Sequence, residues 1–187
     1  MSHTASPLHK LVETSQHPLT EHWIDALDDG THVLIRPLQE HDREREFQFI
    51  QRLSAESRRA RFFSSFSEPP AALLDQLMTI NHPLQMAYVA LVHDNGELRE
   101  VGIARYAQTQ EQQCEFAVVV ADDWQRKGLG RLLMGHLMDA ARRNGFKRMA
   151  ANDLASNVHL HRLLKRLGFE SCHAQDDFSE IVHHCLL

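Results

Sequence analysis

Apolar residues recur with two different periods along the chain, and the changes of period divide it into elements. Residues 1–20 are polar and aperiodic and read as a flexible N-terminal arm. Trp23 to Leu27, then Asp28-Asp29-Gly30, then Thr31 to Leu38 predict a hairpin, because Asp-Gly supplies the positive φ that a tight turn needs. Pro37 ends it. Phe47, Ile50 and Leu53 at helical spacing predict a helix over 40–53, and Ser54 can cap a second, short helix running to about Phe63. Ser67-Glu68-Pro69-Pro70 opens a third, carrying Leu73, Leu74, Leu77 and Ile80, and Asn81-His82-Pro83 stops it.

The period then switches from 3.6 to 2. Met86 to Val92, Glu100 to Gln108 and Cys114 to Val120 read as strands, joined through Asp94-Asn95-Gly96 and Glu111-Gln112-Gln113. Together they make an antiparallel meander. Leu129 to Asn144 is an amphipathic helix with Arg142 and Arg143 in its last turn and Gly145 as terminator. Lys147 to Leu154 is a strand, and Asn157 to Leu167 a helix closed by Gly168-Phe169 in a Schellman-type ending. The tail from Glu170 is one or two strands. With no internal repeat or low-complexity segment, the expectation is one α/β (α+β) domain over residues 21–187.

Composition narrows the class. Of 187 residues, 43% are apolar and 24% charged, ordinary values for a folded domain. No apolar run approaches the roughly 20 residues that cross a bilayer, and MSHTASPLHK has no apolar signal core. Cys114, Cys172 and Cys185 form no CxxC pair, so a reducing cytoplasm is the expected compartment. A net charge of −5 is too mild for a nucleic-acid binder. Its distribution says more: residues 124–168 hold ten basic and two acidic side chains, +8, and the remainder carries −13. That division suggests an anionic ligand and a cationic second partner, or else solvated faces whose signs mix in space.

The sharpest chemical signal is Gln125-Arg126-Lys127-Gly128-Leu129-Gly130, between a strand and an amphipathic helix. Two glycines allow close backbone approach and strained dihedrals, the helix start offers unpaired N–H groups, and Arg126, Lys127 and Arg131 add charge. This is a cradle for an anion, most naturally phosphate. It is neither of two familiar phosphate loops. GxxxxGK followed by Ser or Thr is absent, and Leu133 stands where GxGxxG needs its third glycine.

The pattern resembles the GNAT superfamily of N-acetyltransferases, whose central motif is Arg or Gln, two residues, Gly, one residue, then Gly or Ala. Here it reads Gln125-x-x-Gly128-x-Gly130, and the strand, helix, strand, Asn157 and Leu163-to-Phe169 ending follow in the family's order over about residues 32–170. Within that family the chain looks similar to the catalytic domains of bacterial protein lysine acetyltransferases that act on acyl-CoA synthetases. Leu53-Ser54-Ala55-Glu56-Ser57, Arg61-Phe62-Phe63 and the Glu115-to-Gln125 text carry that likeness.

The resemblance implies a GNAT fold: a mixed, mostly antiparallel sheet, splayed between the family's fourth and fifth strands and flanked by helices. It implies acetyl-CoA as co-substrate, no metal, and an amine-bearing acceptor, either a protein lysine or a small amine; a homodimer stays open. The diphosphate would lie on backbone N–H groups of Arg126, Lys127, Gly128, Leu129, Gly130 and Arg131. The pantetheine arm would pair with Val118, Val119 and Val120, and Asn157 would reach its distal part, unless it serves simply as a helix cap. A lysine amine near pKa 10.4 must lose a proton before it attacks a thioester. Glu115 occupies the position of the branch's general base. Strand alternation sets it with Ala117 and Val119, an apolar setting expected to raise its pKa. A backbone N–H near Val118 would hold the oxyanion. The tyrosine that many members place four residues before the final glycine is Leu164 here, so Ser156, His159, His161 or water would protonate the leaving thiolate. A non-enzymatic acyl-CoA-binding module is the alternative class.

Two other readings are bland. His159 and His161 point to different helix faces and cannot share an ion, and no HExxH or Cys/His cluster occurs, so the histidines read as surface residues. Cys114 reads as a small buried hydrophobe rather than a covalent relay.

Overall fold

The computed structural model describes residues 20–174 and 179–187. The arm expected over residues 1–20 lies, but for its last residue, outside them. One sheet of eight strands organises the rest: β1 (Trp23–Ala26), β2 (His32–Pro37), β3 (Gln85–Asp94), β4 (Glu97–Gln110), β5 (Gln113–Val120), β6 (Arg148–Leu154), β7 (Glu170–His173) and β8 (Glu180–Leu186). Their order across the sheet is β1-β2-β3-β4-β5-β6-β8-β7. All neighbours are antiparallel except β5 and β6, which run parallel. The helices are α1 (Arg43–Arg52), α2 (Ala55–Phe62), α3 (Ala71–Met78), α4 (Leu129–Arg143) and α5 (Val158–Arg166). The expected mixed, mostly antiparallel sheet flanked by helices is what forms, with the tail supplying two strands.

Local chemistry accounts for the boundaries. Ser54 Oγ accepts from the Ser57 N–H at 3.1 Å and starts α2, and Phe63 in the left-handed region ends it. Gly168 is left-handed (φ 86°), and the Phe169 N–H reaches back to the Leu164 carbonyl at 3.0 Å, closing α5. Helix α4 buries Leu129, Leu133, Met134, Leu137, Ala140 and Ala141. It seats closely on the sheet because Gly102 of β4 has no side chain; a Cβ there would stand 3.1 Å from Leu133 and 3.3 Å from Leu129. The N-terminal strand is fastened to the same helix. Trp23 stacks on His136 at 4.0 Å, and His136 Nε2 lies 2.7 Å from the Asp25 carboxylate.

Between α1 and β4 sits a polar knot inside the core. Glu100 is 1% exposed and meets the Glu46 carboxylate, with which it can share a hydrogen bond only while it keeps its proton. Burial, reinforced by the nearby Glu46 carboxylate, pushes its pKa well above the ordinary range. An unfolded glutamate releases its proton near pH 4.3. Above that pH the folded chain still holds a proton that the unfolded chain has lost, so stability falls as pH rises toward the folded pKa. We expect Glu100→Gln, which keeps the shape without the proton, to remove that slope. Urea unfolding followed from pH 5 upward should show the variant gaining on the parent as pH rises; parallel curves would contradict a raised Glu100 pKa.

Candidate active site

The parallel ladder between β5 and β6 is short. It pairs Gln113, Cys114 and Glu115 with Arg148, Met149 and Ala150, and then the strands part. β6 continues against β8 through Leu154, while β5 continues against β4 through Val120. A cleft of about 1770 Å³ opens at the divergence. Its walls include Glu115, Val118, Val119 and Val120 from β5, Ser156 and Asn157 from the β6–α5 turn, and Gln125, Arg126, Gly128, Gly130 and Arg131 from the loop before α4.

Glu115 stands at the point of divergence. The alternation that buries Cys114 and Phe116 turns it outward, and it is exposed in the cleft rather than wrapped in apolar side chains. The desolvated setting expected from its neighbours is therefore not the one it has: alternation fixes the side of the strand, and the parting of the sheet leaves that side open. Arg61 of α2, half-buried over the Phe62 ring at 4.8 Å, lines the same cleft. Burial, with the like charge of Arg105, lowers its guanidinium to about 10 against the pull of Glu46 and Glu115, and it stays cationic at neutral pH.

The loop from 125 to 131 is built by strain and by pins. Arg126 (φ 61°) and Gly128 (φ 87°) both adopt left-handed backbone. Gln125 Nε2 donates to the Val120 carbonyl at 3.2 Å, tying the loop to the end of β5. Lys127 turns to Asp29 at 3.1 Å and lies over the Trp124 ring at 4.9 Å, and Leu129 is buried in the core, so neither side chain lines the cleft. Arg126 and Arg131 bring side chains to the cleft. Gly130 does not take the strained dihedral expected of it. Its role is close packing, since a Cβ there would meet Leu163 of α5 at 3.1 Å.

Two features escaped the sequence reading. The turn between β1 and β2 docks on the loop, with the Asp28 N–H donating to the Lys127 carbonyl at 3.0 Å. The Asp28 carboxylate would stand 2.8–2.9 Å from any Cβ at Gly128, and it pairs with Arg131 at 3.4 Å. An acidic turn thus already touches the cradle. Asp122, just after β5, accepts from the Ser54 N–H and Oγ (both 2.8 Å) and from Ser57 Oγ (2.7 Å). Burial works to raise its pKa, but these bonds outweigh it and hold it below the ordinary value. The Leu53-to-Ser57 stretch was the available signal for this clamp.

Asn157 is the cap of α5: its side chain accepts from the Leu160 N–H at 3.3 Å and donates to Asp153 at 3.2 Å, while it also lines the cleft. Leu164 is fully buried, and Leu160, Leu163 and Leu167 form that part of the wall instead. Ser156 and His159 face the cleft. His161 does not; it turns to Asp153, 3.4 Å away, and to the ring of His183, 5.0 Å between centroids. His183 is fully buried, and burial with the charges of His161 and His184 holds it down at about 4. The reading of the histidines as surface residues fails for this pair, because two strands and a helix bring together positions 22 residues apart in the sequence. Cys114 is buried, and burial raises its thiol to about 12, so it is no nucleophile at neutral pH.

Comparison with known proteins gives the geometry a context. The sequence model of the Acetyltransferase (GNAT) family matches residues 47–169. An acetyltransferase of Pseudomonas aeruginosa is 54% identical over 168 residues, covering 89% of this chain and 90% of that one. The acetyltransferase Pat of Mycolicibacterium smegmatis is 29% identical over 74% of this chain but only 41% of its own length. Among solved structures, the GNAT domain of S. lividans PAT superposes with a TM-score of 0.80 at 22% identity, covering 89% of this chain and 97% of that one.

The glycine at 128 makes a prediction that separates its two constraints. Gly128→Ala should lower stability by about 1–3 kcal/mol, from a left-handed backbone and contact with Asp28. In an Asp28→Ala background the contact part disappears and the backbone part stays. Urea denaturation of the four proteins measures both; a Gly128→Ala chain as stable as the parent would show that the loop relaxes freely.

Proposed function

The chain belongs to the GNAT acetyltransferase family and is an N-acetyltransferase, and from that premise we propose that it moves the acetyl group of acetyl-CoA to the ε-amine of a protein lysine, with Glu115 as general base. The family uses acetyl-CoA as co-substrate, and the residues of this chain suit it. The loop before α4 offers N–H groups at the positive end of a helix with Arg126 and Arg131 beside them, a match for a diphosphate. Beyond Glu115, β5 has no ladder partner on its β6 side among the described residues. The amide-rich pantetheine arm would supply one along Val118, Val119 and Val120. Gln125 positions the loop, and Lys127, Leu129 and Gly130 contribute backbone or close packing. Asn157 stands on the opposite wall, within the cleft.

The reaction needs few parts. Glu115 takes a proton from the lysine ammonium, directly or through water. The neutral amine attacks the thioester carbonyl carbon, a backbone N–H near Val118 holds the oxyanion, the attacking nitrogen releases its extra proton to water, and the carbon–sulfur bond breaks as the oxyanion collapses. The departing thiolate takes its proton from water or from Ser156 or His159, the two candidates that face the cleft. The observation that carries this reading is Glu115 exposed where the sheet parts. A base there is reachable by a side chain arriving on another protein, and the cleft is open enough to admit one.

Glu115→Gln should lose roughly 10²–10⁴-fold in turnover while acetyl-CoA affinity, measured by calorimetry, is kept. A variant as active as the parent would remove Glu115 from the mechanism. Thiol release on a panel of acyl-CoA synthetases, polyamines, amino sugars and amino acids tests the acceptor; turnover on a small amine alone would transfer the assignment to small molecules. Arg131→Ala should weaken acetyl-CoA binding about tenfold and flatten its salt dependence.

A further inference from the structure

Asp153 on β6, His161 on α5 and His183 on β8 each direct one donor atom to a common point, and the three atoms lie within 4.8 Å of one another. Asp153 is 2% exposed, His183 is fully buried, and the His161 side chain is 20% exposed. The converging atoms, Asp153 Oδ2, His161 Nε2 and His183 Nε2, are buried and make no hydrogen bond among the described residues. Three buried polar atoms facing one another, with His161 Nε2 and Asp153 Oδ2 at 3.4 Å, are unfavourable unless a proton or an ion is shared among them. The atoms on the far sides are committed. Asp153 Oδ1 accepts from Asn157 Nδ2 at 3.2 Å, and His183 Nδ1 lies 2.7 Å from Ser171 Oγ.

We propose that these three side chains form a binding site for a divalent transition-metal ion, with Zn²⁺ as its occupant. Two imidazole nitrogens and one carboxylate oxygen suit zinc, whereas calcium and magnesium call for all-oxygen sets. Zinc ligands at 2.0–2.1 Å in a tetrahedron stand roughly 3.3 Å apart. His161 Nε2 and Asp153 Oδ2 are 3.4 Å apart already, and the His183 donor lies within 4.8 Å of both. The outer contacts are of the kind that orient metal ligands: Ser171 engages the second nitrogen of His183, leaving Nε2 for the ion, and Asn157 holds the second oxygen of Asp153. Three protein ligands leave a fourth position for water. The ion would tie β6, α5 and β8 together directly behind Asn157, the cap of α5.

The test uses the untagged full chain, stripped with a chelator and titrated with Zn²⁺ by calorimetry and with Co²⁺ by visible absorption. The wild type should bind one high-affinity equivalent of Zn²⁺ and give the intense visible bands of tetrahedral cobalt. Affinity should fall at least a hundredfold in His161→Ala and His183→Ala and about tenfold or more in Ser171→Ala, and stay unchanged in His184→Ala. Should His183→Ala fail to fold, His161→Ala and Asp153→Asn carry the same expectation, with circular dichroism confirming their fold. Zn²⁺ binding to the wild type no tighter than to His161→Ala, or cobalt bands of the weak octahedral kind, would overturn the site and leave the three groups sharing only a proton.

Discussion

The parallel ladder between β5 and β6 stops at Glu115, and the cleft is a consequence of where it stops. Both strands go on, each held on its far side by an antiparallel neighbour, so the sheet does not fray; it forks. Helix α4 sits close against β4 over Gly102, and the Phe116 and Phe169 rings meet edge to face at 5.2 Å near the fork. Peptide groups that a continuous sheet would have paired are left along the β5 edge, and buried backbone groups need partners. A Val-rich strand, which in most sheets is core, becomes a wall with polar backbone to offer.

The fork also sets the electrostatics. The loop after β5 gathers Arg126 and Arg131 on the cleft, while the turn between β1 and β2 brings Asp28 and Asp29 against the same loop. Asp29 is drawn down to about 2, first by the Thr31 hydrogen bonds and then by Lys127. The segregation of charge along the sequence is thus partly undone in space, as surface charges often are. What stays unbalanced is the cleft side of α4 and α5, and an anionic ligand there meets Arg131 with an acidic competitor already in place.

Much of this was legible from spacing. Period 3.6 and period 2 located the helices and strands because each buries one face on a common core, and glycine and serine marked their ends through geometry that few residues provide. What spacing could not carry was contact between distant segments. Alternation put Glu115 on the correct face of β5 but could not tell that the face opens to solvent. Gly130 looked like a ligand-facing glycine, and its real constraint is Leu163 of α5. Asp122 opens a short 3-10 turn after β5, and its partners Ser54 and Ser57 lie more than sixty positions upstream. His161 and His183 meet only because α5 and β8 both pack beside β6.

The exposure of Glu115 bears on the kind of acceptor that suits this cleft. A general base works on a bound amine best when water is excluded and the surrounding charges are fixed. A small enclosed pocket does this by itself, but here the wall is an open groove, with Glu115 accessible and Arg61 beside it. A small amine entering such a groove would leave the carboxylate hydrated. A lysine carried on a protein surface brings its own cover, because the surrounding surface closes over the groove as the side chain enters. Under the proposal that Glu115 is the base, this open groove is the geometry that a protein-borne lysine would complete on docking.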